Sequence, residues 1–186
     1  IASMSMYETL SGKNSDRFQY VFPNYNYSEK IDLKKDIKGG LNFYSSGYHS
    51  LYDTNVSDTV VINDVNYDSH TTYFNNGVTN KNYLLFKNVN TSGENSTKYS
   101  DKTQSEIMSS LVLNYEYPLS RNNKTGHESL VPKFSFMFSP NDMKNKRTDQ
   151  RRLDVESIFS PNRLGFSDTL ESGESLTLGL NYKKYL

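Results

Sequence analysis

Cysteine is absent from the 186 residues. That excludes thiolate catalysis, cysteine-ligated zinc and disulfide staples, and it says little about compartment, because many exported barrels lack cysteine. Charge of either sign in excess is also missing, since Lys+Arg and Asp+Glu stand at 21 each. Bulk electrostatics therefore point to no polyanionic partner, and no nucleic acid is expected. Apolar residues are scarce, at 34% of the chain with a mean hydropathy of −0.75. No apolar run reaches the roughly 18 residues that a membrane helix needs, so any membrane span must be made of strands. The chain has no initiating Met and no signal peptide, and it opens in mid-strand at Ile1-Ala2-Ser3-Met4. It reads as an internal fragment. Catalytic signatures are missing too: there is no G-x-S-x-G, H-E-x-x-H, G-x-G-x-x-G or phosphate loop. No enzymatic activity and no cofactor are expected.

Aromatic residues are plentiful. They make up 13% of the chain, with Tyr 15 and Phe 10, which a disordered chain would rarely carry. They also alternate with polar residues. In 105–118, Ile107, Leu111, Leu113, Tyr115 and Tyr117 share one parity, while Met108, Ser110, Val112, Asn114 and Glu116 take the other. In 129–139, Leu130, Phe134, Phe136 and Phe138 oppose Lys133, Ser135 and Ser139, with Pro132 read as lying near the strand start. In 174–184, Leu176, Leu178, Leu180 and Tyr182 oppose Ser175, Thr177, Gly179, Asn181 and Lys183. Each dyad has about the 9 to 11 residues of a tilted membrane strand. Less regular runs follow Met4, Phe18 and Leu41, with others around 59–73 and 83–89, giving roughly eight strands. The expected fold is all-β: an antiparallel meander forming part of a transmembrane outer-membrane β-barrel, with all 186 residues in one barrel domain. In a barrel wall only the lipid-facing half of each strand must be apolar, so low hydropathy fits.

Connections are rich in Gly, Asn, Asp and Ser. Gly12-Lys13-Asn14 reads as a tight turn, and 91–104 and 140–168 as long charged loops, the rim asymmetry of an outer-membrane barrel. Tyr20, Tyr48, Tyr73, Tyr117 and Tyr182 sit near predicted strand ends, where an aromatic girdle belongs. An AT-rich genome would inflate Tyr, Asn and Lys together, but it would not produce the alternation. His49, His70 and His127 lie far apart and read as solvated loop or strand residues. Asp53 to Asp58 faintly resembles a calcium loop, yet Asp58 stands where the sharp-turn Gly belongs and no closing Glu follows. The most distinctive stretch is 141–168, whose charges run into Ile158-Phe159-Ser160-Pro161-Asn162-Arg163-Leu164-Gly165. It is expected to fold over or into the barrel, because Leu153, Val155, Ile158, Phe159 and Leu164 need cover. Arg151, Arg152 and Arg163 would then face anionic phosphates, or pair with Asp154, Asp168, Glu171 or Glu116; Lys133 belongs to the same polar face.

The stretch Leu130 to Pro140, then Arg152-Leu-Asp154, Ile158 to Gly165, Ser167-Asp-Thr169 and Glu171 to Lys183 resembles, in order and spacing, the C-terminal barrel of the lipopolysaccharide-assembly (LptD) family in its alphaproteobacterial form. Phe22-Pro23-Asn24-Tyr25, Gly39 to Phe43 and Tyr52-Asp53-Thr54 extend the likeness over nearly the whole chain. The resemblance implies a cell-outer-membrane translocon that passes lipopolysaccharide to the outer leaflet through a lateral opening. It also implies contact with outer-membrane lipid, an LptE-like lipoprotein plug, and an LptA-like periplasmic bridge reached through an N-terminal domain outside this stretch. Two rival readings stand beside it. A porin or receptor barrel would show the same alternation. A soluble all-β carbohydrate-binding module would pack the Phe134, Phe136, Phe138 face against a second sheet.

Overall fold

The computed structural model describes residues 1–8, 18–33, 37–123, 126–142, 153, 155 and 157–185. Among the described residues there are ten strands: β1 (Ala2–Glu8), β2 (Phe18–Ile31), β3 (Gly39–Tyr52), β4 (Ser57–Ser69), β5 (Thr72–Tyr73), β6 (Thr79–Glu94), β7 (Gln104–Glu116), β8 (Leu119–Asn123), β9 (Gly126–Ser139) and β10 (Gly173–Tyr185). They form one sheet in the order β1-β2-β3-β4-β6-β7-β9-β10, with β5 on β6 and β8 on β9. The fold is an all-β antiparallel meander. Its ordered path ends at β1 and β10, and no pairing between those two closes it among the described residues.

Several expectations need adjusting. There are ten strands, not about eight, because Ser69 and Thr72 bound a break that separates β5 from β4, and the short β8 was not anticipated. The long strands run to 13, 14 or 16 residues, beyond the span the dyads alone defined. Polar positions at their ends keep the ladder going where the apolar alternation has stopped. Pro132 lies in the interior of β9, not near its start. Its carbonyl accepts from the Tyr117 N–H at 3.0 Å, so its missing donor faces the gap between β7 and β8, where no ladder bond is required. Tyr48 sits inside β3, not at its end. The tight turn at Gly12 falls outside the described residues. A bulge marks β2: Ser3 pairs with Asn24 but Ser5 with Val21, so β2 carries an extra residue around Pro23.

Packing divides the chain into two compact units. The first comprises Ile1–Ile31, Asn42–Val65 and Phe86–Ile107; the second comprises Asp32–Leu41, Asn66–Leu85 and Met108–Leu186. In the first, Val21, Val60, Ile62 and Val89 are buried. The alternate positions carry a chain of side-chain hydrogen bonds: Tyr25 to Ser45 at 3.3 Å, Ser45 to Asn63 at 2.7 Å, Asn63 to Asn88 at 3.2 Å, and Asn88 to Ser105 at 3.3 Å. Gly47 lets the Tyr25 ring lie on the strand, since a Cβ there would stand 2.6 Å from the ring.

In the second unit, cross-strand register sorts side chains into two faces. Leu176, Phe136 and Leu113 form one row, and Leu178, Phe134 and Tyr115 the next. Directly opposed residues share a face, so Leu111, Leu113, Tyr115, Phe134, Phe136, Phe138, Leu176, Leu178 and Leu180, apolar parities of three separate strands, lie on one common side. That face is open: Leu176, Leu178 and Leu180 are 62%, 74% and 67% exposed. On the other face, Thr177, Ser135 and Asn114 align, followed by Ser175, Met137 and Val112. Ser110, Val112, Ser135, Met137, Ser139 and Thr177 are buried.

Candidate functional site

The buried, largely polar face of the second unit is where the candidate residues gather. Glu116 and Lys133 are directly opposed across β7 and β9, and Lys133 Nζ lies 2.7 Å from Glu116 Oε1. Lys133 Nζ also sits 5.8 Å from the centre of the Phe159 ring, within cation–π range. Phe159 in turn occupies the space above Gly179, where a Cβ would stand 2.6 Å from ring carbon Cζ. Its carbonyl accepts from Asn114 Nδ2 at 3.0 Å. Gly179, Lys133 and Glu116 form one cross-strand row, so one aromatic ring caps a whole row of the sheet.

Four residues on, Arg163 is buried at 7% exposure. Its Nε donates to Glu171 Oε2 at 2.8 Å and its Nη2 to Glu171 Oε1, the bidentate fork that guanidinium geometry favours. Its Nη1 donates to Thr177 Oγ1 at 3.3 Å, which ties the fork to β10. Local chain chemistry builds the turn that aims it. Asn162 Nδ2 donates to the Phe166 carbonyl at 2.8 Å, and Gly165 adopts φ 68, a left-handed conformation that costs glycine little. Leu170 is fully buried, with Asp168 and Thr169 beside it.

Segment 157–172 therefore does fold over the sheet, and among the anticipated partners of Arg163 it is Glu171 that makes the contact. Arg151, Arg152 and Asp154 lie outside the described residues. Leu153 and Val155 do not find cover: they are 53% and 88% exposed, so the apolar anchor begins only at Ile158. Sequence reasoning missed Asn114, Thr177 and Gly179 as the seat of the segment. The available signal was size, because small residues on the polar parity leave room for a bulky ring from elsewhere in the chain.

Among the described residues no three His, Asp or Glu side chains converge as a metal set. His49 Nδ1 is 2.8 Å from Thr59 Oγ1 and His127 Nδ1 is 2.7 Å from Asn122 Oδ1, each engaged with its own neutral neighbour. The first unit adds a buried ion pair, Lys87 Nζ to both Asp64 oxygens at 2.7 Å, which the sequence did not announce. It also holds a cleft of about 360 Å³ lined by Gln19, Tyr48, Ser50, Tyr52, Asp58 and Lys98 among others. No protein-family model matches the chain, and no curated protein matches it significantly.

Proposed function

We propose that the chain is part of the wall of an outer-membrane β-barrel that moves lipopolysaccharide to the outer leaflet. The observation that carries the membrane part is the reversal of faces in the second unit. Phe134, Phe138, Leu176, Leu178 and Leu180 point to the open side, while Ser110, Ser135, Ser139 and Thr177 are buried on the other, beside Met108, Val112, Met137 and a half-buried Lys133–Glu116 pair. In water this arrangement wastes apolar burial worth roughly 25 cal/mol per Å², whereas against lipid tails it is the stable one. A carbohydrate-binding sandwich would need a second sheet over Phe134, Phe136 and Phe138, yet Phe134 and Phe138 are exposed.

The cargo follows from the sequence resemblance and from the kind of face under cover. A polar wall carrying paired charges suits a sugar-phosphate passenger, because the guanidinium fork that grips the Glu171 carboxylate has the geometry that also grips a phosphate. The remaining partners, an LptE-like plug and an LptA-like periplasmic bridge reached through an N-terminal domain, belong to the same proposal.

Two measurements test it in sequence. The intact protein should leave membranes only with detergent; recovery as a monodisperse species in plain buffer refutes the barrel. Depleting it from Gram-negative cells should remove newly made lipopolysaccharide from the surface and sensitise them to bulky antibiotics. Unchanged surface lipopolysaccharide in depleted cells refutes the cargo and leaves a porin or receptor barrel.

A further inference from the structure

We propose that the groove at the charged border of the open apolar band is a binding site for a membrane glycerophospholipid, its phosphate held by Arg121 and Lys184 and its acyl chain laid along β10. The inference rests on the membrane reading above. The groove has a volume of about 450 Å³ and is lined by Leu119, Arg121, Glu128, Leu130 and Tyr182, with Ser120 and Ser129.

Register shows how it is built. Leu119 opposes Leu130, which opposes Tyr182, forming an apolar row. Two residues further along each strand, Arg121 opposes Glu128, which opposes Lys184. The border of the band is thus a cation, a carboxylate and a second cation in line, with one positive charge in excess. Arg121 Nη2 bonds Glu128 Oε2 at 2.7 Å, yet the Arg121 side chain remains 71% exposed. A guanidinium has five donors, so Glu128 fixes its orientation and leaves donors facing out. On the other side of the groove, Tyr182, Leu180 and Leu178 are 57%, 67% and 74% exposed in succession along one face of β10. An amphiphile with an anionic head and an extended tail satisfies both halves at once. Free phosphate satisfies only the weaker, solvent-screened half, and a neutral diacylglycerol only the apolar one.

The test is a titration of the detergent-solubilised protein with three probes, dihexanoylphosphatidylglycerol, inorganic phosphate and dihexanoylglycerol, followed through the backbone amide signals of Leu119, Ser129 and Leu130. The phospholipid should bind saturably, and inorganic phosphate should not displace it. Arg121→Ala, on a side chain too exposed to unfold the sheet, should weaken phospholipid binding roughly tenfold while leaving dihexanoylglycerol unchanged. Equal phospholipid affinity in the R121A protein, or inorganic phosphate binding as tightly as the phospholipid, overturns the site while the membrane reading stands. A protein that needs no detergent overturns the membrane reading, and this site with it.

Discussion

The open faces of the two units are filled differently. In the first, Val60, Ile62 and Val89 are buried while Ser45, Asn63 and Asn88 trade hydrogen bonds on the alternate positions. In the second, Phe134, Phe138, Leu176, Leu178 and Leu180 are exposed while Ser110, Ser135 and Ser139 are buried. On the membrane reading proposed above, the same period of two serves two solvents. An amide ladder can face water and satisfy its own donors, whereas an unbroken row of Leu and Phe fits only an apolar surrounding. Strand β7 contains both regimes on one parity, with Ser105 at one end and Leu111, Leu113 and Tyr115 at the other.

The largest expected effects break the covered polar contacts of each unit. Asp64→Ala removes the carboxylate paired with Lys87, which is 2% exposed, and should cost about 3 to 5 kcal/mol. Replacing the pair together, Asp64→Leu with Lys87→Met, should be close to neutral. Urea unfolding of both variants checks this, and similar losses in both would show that the charge itself is required. In the second unit Glu171→Ala strands Arg163 with an effect of the same order. It should appear as faster proteolysis within 157–172 while the β9–β10 ladder stays protected from hydrogen exchange.

Charge placement sharpens the contrast directly. Phe136→Lys should cost about 2 to 4 kcal/mol for protein folded in lipid vesicles, and a lysine at Asn88, on the half-exposed amide ladder, should cost less. Ser135 lies on the polar parity of its strand, where the alternation alone would admit a charge. At 3% exposure beneath the covering segment, Ser135→Asp should instead destabilise by about 1 to 3 kcal/mol, because an unpaired charge would be buried there. Indistinguishable results for Phe136→Lys and Asn88→Lys would erase the difference between the units.

A smaller effect comes from Gly179→Ala. The added methyl meets the Phe159 ring at 2.6 Å, so the ring must shift, at about 1 to 3 kcal/mol. The loss should vanish in the G179A/F159A double variant relative to F159A alone, and persistence of the loss would show that the ring is not what the glycine accommodates. Smallest of all, Arg121→Ala should change stability by less than about 1 kcal/mol, since its ion pair is exposed.

Much of the fold was legible because a strand's side-chain period is local. Leu111, Leu113, Phe134, Phe136, Leu176 and Leu178 declared both their strands and their shared face without reference to anything distant. The anchoring of 157–172 was legible in part, because Ile158, Phe159 and Arg163 cannot all remain in solvent. What the sequence could not say was where they land. Gly179 becomes the seat of Phe159 only because β9 and β10 bring it level with Lys133, and Arg163 selects Glu171 because a turn at Asn162 to Gly165 aims it there. Nor did the sequence indicate that Ser135 would be buried or that Lys87 would meet Asp64, 23 residues away. Local alternation by itself determined which residues share a face. Which face is covered, and which charges meet beneath the cover, was decided only by the tertiary structure, because burial and pairing depend on register between segments that the chain's local periodicity leaves free.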